Sequence, residues 1–201
     1  LLLAVLILGF GSIYIINEAE QAVVTQFGKP VGGAVTDAGI HFKTPIIQTV
    51  IKFDKRILEW DGSANEIPTL DNKYVFIDAF ARWRISDALQ FYKAAKNEML
   101  AQSILDDILD GAVRDEIANR TMVEIVRSSK REMAIKDVES SSVNINKKVI
   151  KDMSAKGARL AIIESILSSV SEKLMDLNMG IEILDVQLKR INYTRQVQEQ
   201  V

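Results

Sequence analysis

From Tyr74 to Ile85 apolar side chains fall on alternate residues. Val75, Ile77, Ala79, Ala81, Trp83 and Ile85 share one face, while Asp78, Arg82 and Arg84 fall on the other. Successive side chains of a strand point to opposite sides of a sheet. A period of two held over these 12 residues therefore requires a half-buried strand in an antiparallel or mixed sheet. After Ser86 the period changes. Asp87 and Gln90 stand as an N-cap and its N3 partner, which opens a short helix through Ala95. Glu98 to Asn119 follows as a longer helix. Leu100, Ile104, Ile108, Ala112 and Val113 form its apolar stripe, widened by Leu105, Leu109 and Ile117.

The flanks fill in the order of elements. Val23, Thr25 and Phe27 alternate with Ala22, Val24 and Gln26, and turn residues follow at Gly28-Lys29-Pro30 and Gly32-Gly33. Thr49 to Trp60 reads as a second strand. Thr121 and Glu124 repeat the capping-box spacing, with a helix expected to about Met133. The stretch 136–160, KDVESSSVNINKKVIKDMSAKGARL, is rich in Ser, Lys and Asn with weak periodicity and reads as an exposed insertion. A helix returns near Ile162, with Ile163, Ile166, Leu167, Val170, Leu174 and Leu177 on one face and Gly180 as its stop. Ile181 to Lys189 reads as a strand, and 191–201 as the start of a C-terminal helix. Strands first and helices after them define an α+β fold. The expected divisions are 1–16, 17–86 (β-rich), 87–190 (mixed) and 191–201.

Leu1 to Ile16 contains no charge and runs into Asn17-Glu18-Ala19-Glu20 without a linker. Crossing a bilayer core as a helix takes about 20 apolar residues. The expectation is therefore the C-terminal part of a membrane helix, with Leu1, Leu2, Leu3, Val5, Leu6, Ile7, Leu8, Phe10, Ile13, Tyr14, Ile15 and Ile16 as anchor residues. A signal peptide would need a charged start and an Ala-x-Ala-like end, and neither flank fits. Basic residues gather on the cytoplasmic side of a span. Only Lys29 lies close to this one, so the domain is expected on the non-cytoplasmic side.

Composition removes several function classes. The net charge is −2 and no basic stripe is evident, which argues against nucleic acid as a partner. There is no Cys, hence no disulfide, thiol catalysis or Cys-zinc site, and the single His41 excludes a two-His metal site. As a catalytic base His41 would need a nucleophile and an orienting partner that the sequence does not identify, so a structural role is preferred. Asp106, Asp107 and Asp110 fill the polar face of a helix and fall short of the six or so oxygens calcium takes. No phosphate-binding glycine pattern occurs. No catalytic, cofactor or metal site is expected. Two surfaces stand out. Phe42, Lys43, Pro45, Ile46 and Ile47, with Lys52 nearby, form a candidate membrane interface, with core packing as the alternative. Glu98, Asp106, Asp110 and Arg114 form a candidate subunit contact, with an ordinary solvent face as the alternative.

Four segments carry a resemblance. Gly39-Ile40-His41-Phe42-Lys43-Thr44-Pro45-Ile46-Ile47 resembles the GLHFKIPFI element of the SPFH (band 7) family, which includes stomatin, prohibitin, flotillin, HflK and HflC. Glu20 to Lys29 (EQAVVTQFGK) resembles the strand before it, and Ala81-Arg82-Trp83-Arg84-Ile85-Ser86-Asp87 resembles the KWRISD element of the HflC branch. Gly180 to Val186 (GIEILDV), followed by Arg190-Ile191-Asn192, resembles that branch's GIEVVDV…QINLP, with Tyr193 where Leu often precedes Pro.

The resemblance covers residues 17–201. It implies a non-enzymatic scaffold on the bacterial inner membrane with its SPFH domain on the periplasmic side. Such a subunit alternates with an HflK-like paralogous subunit in a large hetero-oligomeric ring or cage around an FtsH-like membrane AAA protease. The chain would then lack the C-terminal helices that build the cage wall. The alternatives are a stomatin-like scaffold serving another membrane protein and a membrane-anchored hydrolase, which one His, no Cys and no nucleophile-elbow pattern disfavour.

Overall fold

The computed structural model describes residues 11–126 and 158–193. Their order is β1 (Ile13–Ile16), β2 (Glu20–Gln26), β3 (Lys29–Val35), β4 (Gly39–Phe42), β5 (Gln48–Asp54), β6 (Leu58–Asp61), β7 (Asn65–Pro68), β8 (Tyr74–Ile85), α1 (Ala88–Ala94), α2 (Glu98–Ala118), α3 (Met122–Val126), α4 (Ala158–Asp176) and β9 (Ile181–Tyr193). A run of strands, β1 to β8, comes before the run of helices, and β9 follows them, a segregation that fits an α+β fold. Two compact units interleave along the chain. Among the described residues the first holds 11–60, 81–108 and 170–185, and the second 61–80, 109–126, 158–169 and 186–193.

In the first unit β1 pairs antiparallel with β4, and β2 lies between β3 and β5. Helix α1 packs on β2 and β3. Asp87 caps it, its carboxylate accepting from Leu89 N and Gln90 N. Phe91 on α1 meets Phe53 on β5 edge to face, 5.1 Å between ring centres. Ile16, Ala22, Val23, Trp60, Trp83, Ile85 and Ala88 complete the core. The buried Gln21 is satisfied by the Ile85 carbonyl at 3.1 Å. The expected strand Thr49–Trp60 is two strands. Asp54 accepts from the backbone N of Arg56 at 2.8 Å and grips its guanidinium, and this local turn ends β5.

In the second unit the first half of β8 pairs with β7, from Asn65↔Ile77 to Pro68↔Tyr74. Ile67, Val75 and Ile77 are buried with Leu109, Val113 and Ile117 of α2, Met122 and Ile125 of α3, and Ile162 and Ile166 of α4. The β7–β8 loop is pinned. Thr69 Oγ1 donates to Asp71 Oδ1 at 2.7 Å, and Met122 N donates to the same oxygen at 3.1 Å. Burial pushes the Asp71 carboxyl up, but the bonds from Thr69 and Met122, with Lys73 nearby, outweigh it and hold the group below its ordinary value. A carboxyl lowered in the folded state stabilises fully above its unfolded value, about 3.9, and the contribution is lost as pH falls through the folded value. Asp71→Asn is therefore expected to be less stable than wild type at neutral pH, with the gap closing as the solution is acidified below about pH 4. Urea midpoints across that range check this, and a gap independent of pH would contradict it.

Several expectations are corrected. Ile13, Tyr14, Ile15 and Ile16, expected to end a membrane helix, form β1. Ser12 stands in a turn just before the strand begins. β-branched residues favour a pleated surface, and β4 supplies their backbone partners. Leu1, Leu2, Leu3, Val5, Leu6, Ile7, Leu8 and Phe10 lie outside the described residues. No helix among the described residues is long and apolar enough to cross a membrane. Residues 191–193 extend β9 instead of opening a helix. Helix α4 already begins at Ala158, and the rest of the expected 136–160 insertion lies outside the described residues.

Candidate membrane-facing surface

The register of β1 and β4 opposes Ile13 to Phe42, Tyr14 to His41, Ile15 to Ile40 and Ile16 to Gly39. Directly opposed residues of an antiparallel pair project on the same face. One face of this ribbon is thus Ile13, Ile15, Ile40 and Phe42, all apolar and all exposed, Phe42 to 75%. The other carries buried Ile16, with Tyr14 stacked on His41 at 5.5 Å. His41 Nε2 lies 2.8 Å from the Asp37 carbonyl, so this nitrogen carries the hydrogen and donates it.

The chain between β4 and β5 continues this surface. Lys43 N donates to the Ser12 carbonyl at 2.7 Å, and Thr44 N to Gln48 Oε1 at 2.7 Å. Ile47 N donates to the Pro45 carbonyl at 2.8 Å, which closes a γ-turn about Ile46 at φ +70. That turn is rare and strained, and Ile46 sits at its apex 93% exposed. Ile47 is exposed, whereas Lys43 and Pro45 are half-buried. Gln26↔Gln48 brings the β2–β3 turn to the same end of the β3–β2–β5 sheet. That turn is Phe27-Gly28, with φ +50 and +79, flanked by Gln26↔Lys29. Positive φ at both positions is the two-residue hairpin turn normally filled by Asn or Gly. Here it displays Phe27, 83% exposed.

Phe27 and Ile40 were not among the residues expected at this surface, and Ile13 and Ile15 were expected in a membrane helix instead. The available signal was an aromatic residue where a two-residue turn wants a small or polar one. Lys52, expected near this surface, instead pairs with Glu20 at 2.8 Å toward the other end of the sheet. The expected subunit-contact residues are spread along α2, and three of them bond within their own chain. Glu98 accepts from Asp54 N at 3.4 Å, Asp106 from the indole N–H of Trp60, and Asp110 from Asn65 at 3.4 Å, while Arg114 is exposed. Among the described residues no group of His, Asp or Glu is placed to hold a metal ion.

Two of the motif segments meet across β8 and β9. Ser86 N and Asp87 N both donate to the Gly180 carbonyl, at 2.9 and 3.1 Å. Arg82 forks onto Asp185 at 2.8 and 2.6 Å, and Arg84 pairs with Glu182 at 2.7 Å. Buried positions on β9 run Ile181, Ile183 and then Val186, so the two-residue alternation slips by one between them. The extra residue brings Asp185 to the outer face opposite Arg82. Exposed pairs of this kind contribute about 1 kcal/mol at most. Their larger effect is to hold register.

The SPFH domain / Band 7 family matches residues 14–201. Protein HflC of Borreliella burgdorferi is 32% identical over 199 residues, covering 96% of this chain and 59% of the relative. Protein HflC of Vibrio cholerae is 29% identical over 198 residues, covering 94% and 60%. Modulator of FtsH protease HflC of Escherichia coli is 26% identical over 216 residues, covering 100% and 65%. The chain thus spans about 60% of the length of the first two of these. A match from Tyr14 to the last residue, over a fold in which two of the motif segments form one ladder, places this chain in the SPFH domain / Band 7 family.

Proposed function

We propose that the chain is a non-catalytic subunit of a membrane scaffold that modulates an FtsH-like AAA protease. The observation that supports this reading is the apolar display at one end of the first unit. Ile13, Phe42, Phe27, Ile46 and Ile47 crowd that end, which is also where the uncharged residues 1–10 join the fold. Exposed apolar patches of this kind mark contacts with lipid or protein. In this reading Phe42, Lys43, Pro45, Ile46 and Ile47 face the bilayer interface and Leu1 to Phe10 belong to the anchor. An HflK-like subunit alternates with this one in a ring or cage on the periplasmic side of the bacterial inner membrane, where repeated weak contacts wall off a protease. Copies tethered in one membrane meet at raised effective concentration, so weak lateral contacts suffice.

Affinity purification of the tagged chain from native membranes in mild detergent tests the proposal. Recovery of an HflK-like subunit and an FtsH-like protease in a large particle is the expected result. Recovery as a lone subunit overturns it. The second reading, a stomatin-like scaffold for another membrane protein, predicts a large particle without the protease.

A further inference from the structure

Charge is sorted along the strands of the first unit. In 11–58 the acidic residues are Glu18, Glu20, Asp37 and Asp54. Register places them at the end where Glu20 opposes Asp54 and Ile16 opposes Gly39. The cations there are engaged: Lys52 with Glu20, Arg56 with Asp54, and Lys55 with the Thr36 carbonyl at 3.3 Å. A strand rises about 3.3 Å per residue, so the opposite end, where Gln26 meets Gln48, is about 20 Å away. That end carries Lys29 on the Phe27-Gly28 turn and Lys43 beside Phe42 and Ile46, and no acid of 11–58.

Two positive charges set among exposed Phe27, Phe42, Ile46 and Ile47 match a surface that is negative outside and apolar beneath. We infer that this end of the sheet docks on an anionic lipid surface. Phe27 and Ile46 enter the boundary between headgroups and acyl chains, and Lys29 and Lys43 meet lipid phosphates. The inference rests on the membrane-facing reading above and adds the lipid class. The strained turns hold Phe27 and Ile46 outward in advance, so little ordering is left for the moment of contact.

The native tryptophans make the test clean. Trp60 and Trp83 are 0% and 1% exposed, so quenchers in lipid leave them bright. The full chain carrying Phe27→Trp is reconstituted in vesicles of acyl-brominated phosphatidylcholine, with or without phosphatidylglycerol. The expected result is quenching of the new emission several-fold stronger with phosphatidylglycerol, reduced by added salt and by Lys29→Glu with Lys43→Glu. Equal quenching in both vesicles overturns the anionic preference. If Phe42→Trp is then quenched alike in both, the membrane-facing reading survives without it. An unquenched Phe27→Trp overturns the docking of this turn, whether its emission is that of water or is blue-shifted by a neighbouring protein.

Discussion

Gly180→Ala is expected to destabilise the chain by about 3 kcal/mol or to prevent folding. Gly180 sits at φ +65, and a side-chain carbon there would lie 2.3 Å from the Asp87 carbonyl oxygen and 2.8 Å from Phe91 N. Both are backbone atoms of the capped start of α1 and have no rotamer to change. Left-handed backbone costs a residue other than glycine about 1–2 kcal/mol, and overpacking adds about 1–3 kcal/mol. The same carbonyl that receives Ser86 N and Asp87 N would be displaced, so β8, α1 and β9 lose their common junction. Urea unfolding of the purified variant reads the effect. A change under about 1 kcal/mol would show that the junction relaxes easily.

Asp106→Ala ranks second. The Trp60 ring is fully buried and its indole N–H donates to the Asp106 carboxylate. Removing the acceptor leaves a buried donor unsatisfied, at a cost of about 1–3 kcal/mol. Asp106→Asn keeps an acceptor oxygen and is expected to recover most of the loss. Trp60→Phe combined with Asp106→Ala should cost less than the two single changes added together, because the orphaned donor exists only in one of them. Simple additivity in that cycle would mean the bond contributes nothing.

Strand β8 was legible because its environment is simple: one buried face, one wet face, and a period that shows both. Helices α1 and α2 were legible in extent, but α2 and α4 were not legible in rotation. On α2 the buried row is Ala101, Leu105, Leu109, Val113 and Ile117, while Leu100 is 45% exposed. On α4 the row is Ile162, Ile166, Val170 and Leu174, while Ile163 and Leu167 are half-buried. Apolar residues flank both rows, so the pattern fits two neighbouring rows and only packing chooses. Ile13 to Ile16 shows the same ambiguity in a harder form, since an apolar run without alternation fits helix and strand alike. At the candidate surface, the position of Phe42, Ile46 and Ile47 between strands was enough to single them out. Phe27 was hidden because it continued the alternation of β2 into a turn. Asp106 and Asp110 looked free because Trp60 and Asn65, more than forty residues earlier, are invisible to local periodicity.

The short β1–β4 ribbon also has a mechanical meaning. Residue 11 enters β1 at Ile13, and β1 leaves at Ile16 into the firmly paired β2. A pull on the N-terminal segment along the strand therefore loads the rungs from Ile13↔Phe42 to Ile16↔Gly39 in shear, all together, instead of peeling them one at a time. Displacement of that segment reaches β4 through these rungs and reaches β2 along the chain from Ile16 to Glu20. The ribbon thus ties the start of β1 to β4 and, through the bond from Lys43 N to the Ser12 carbonyl, to the chain that carries the Ile46 turn.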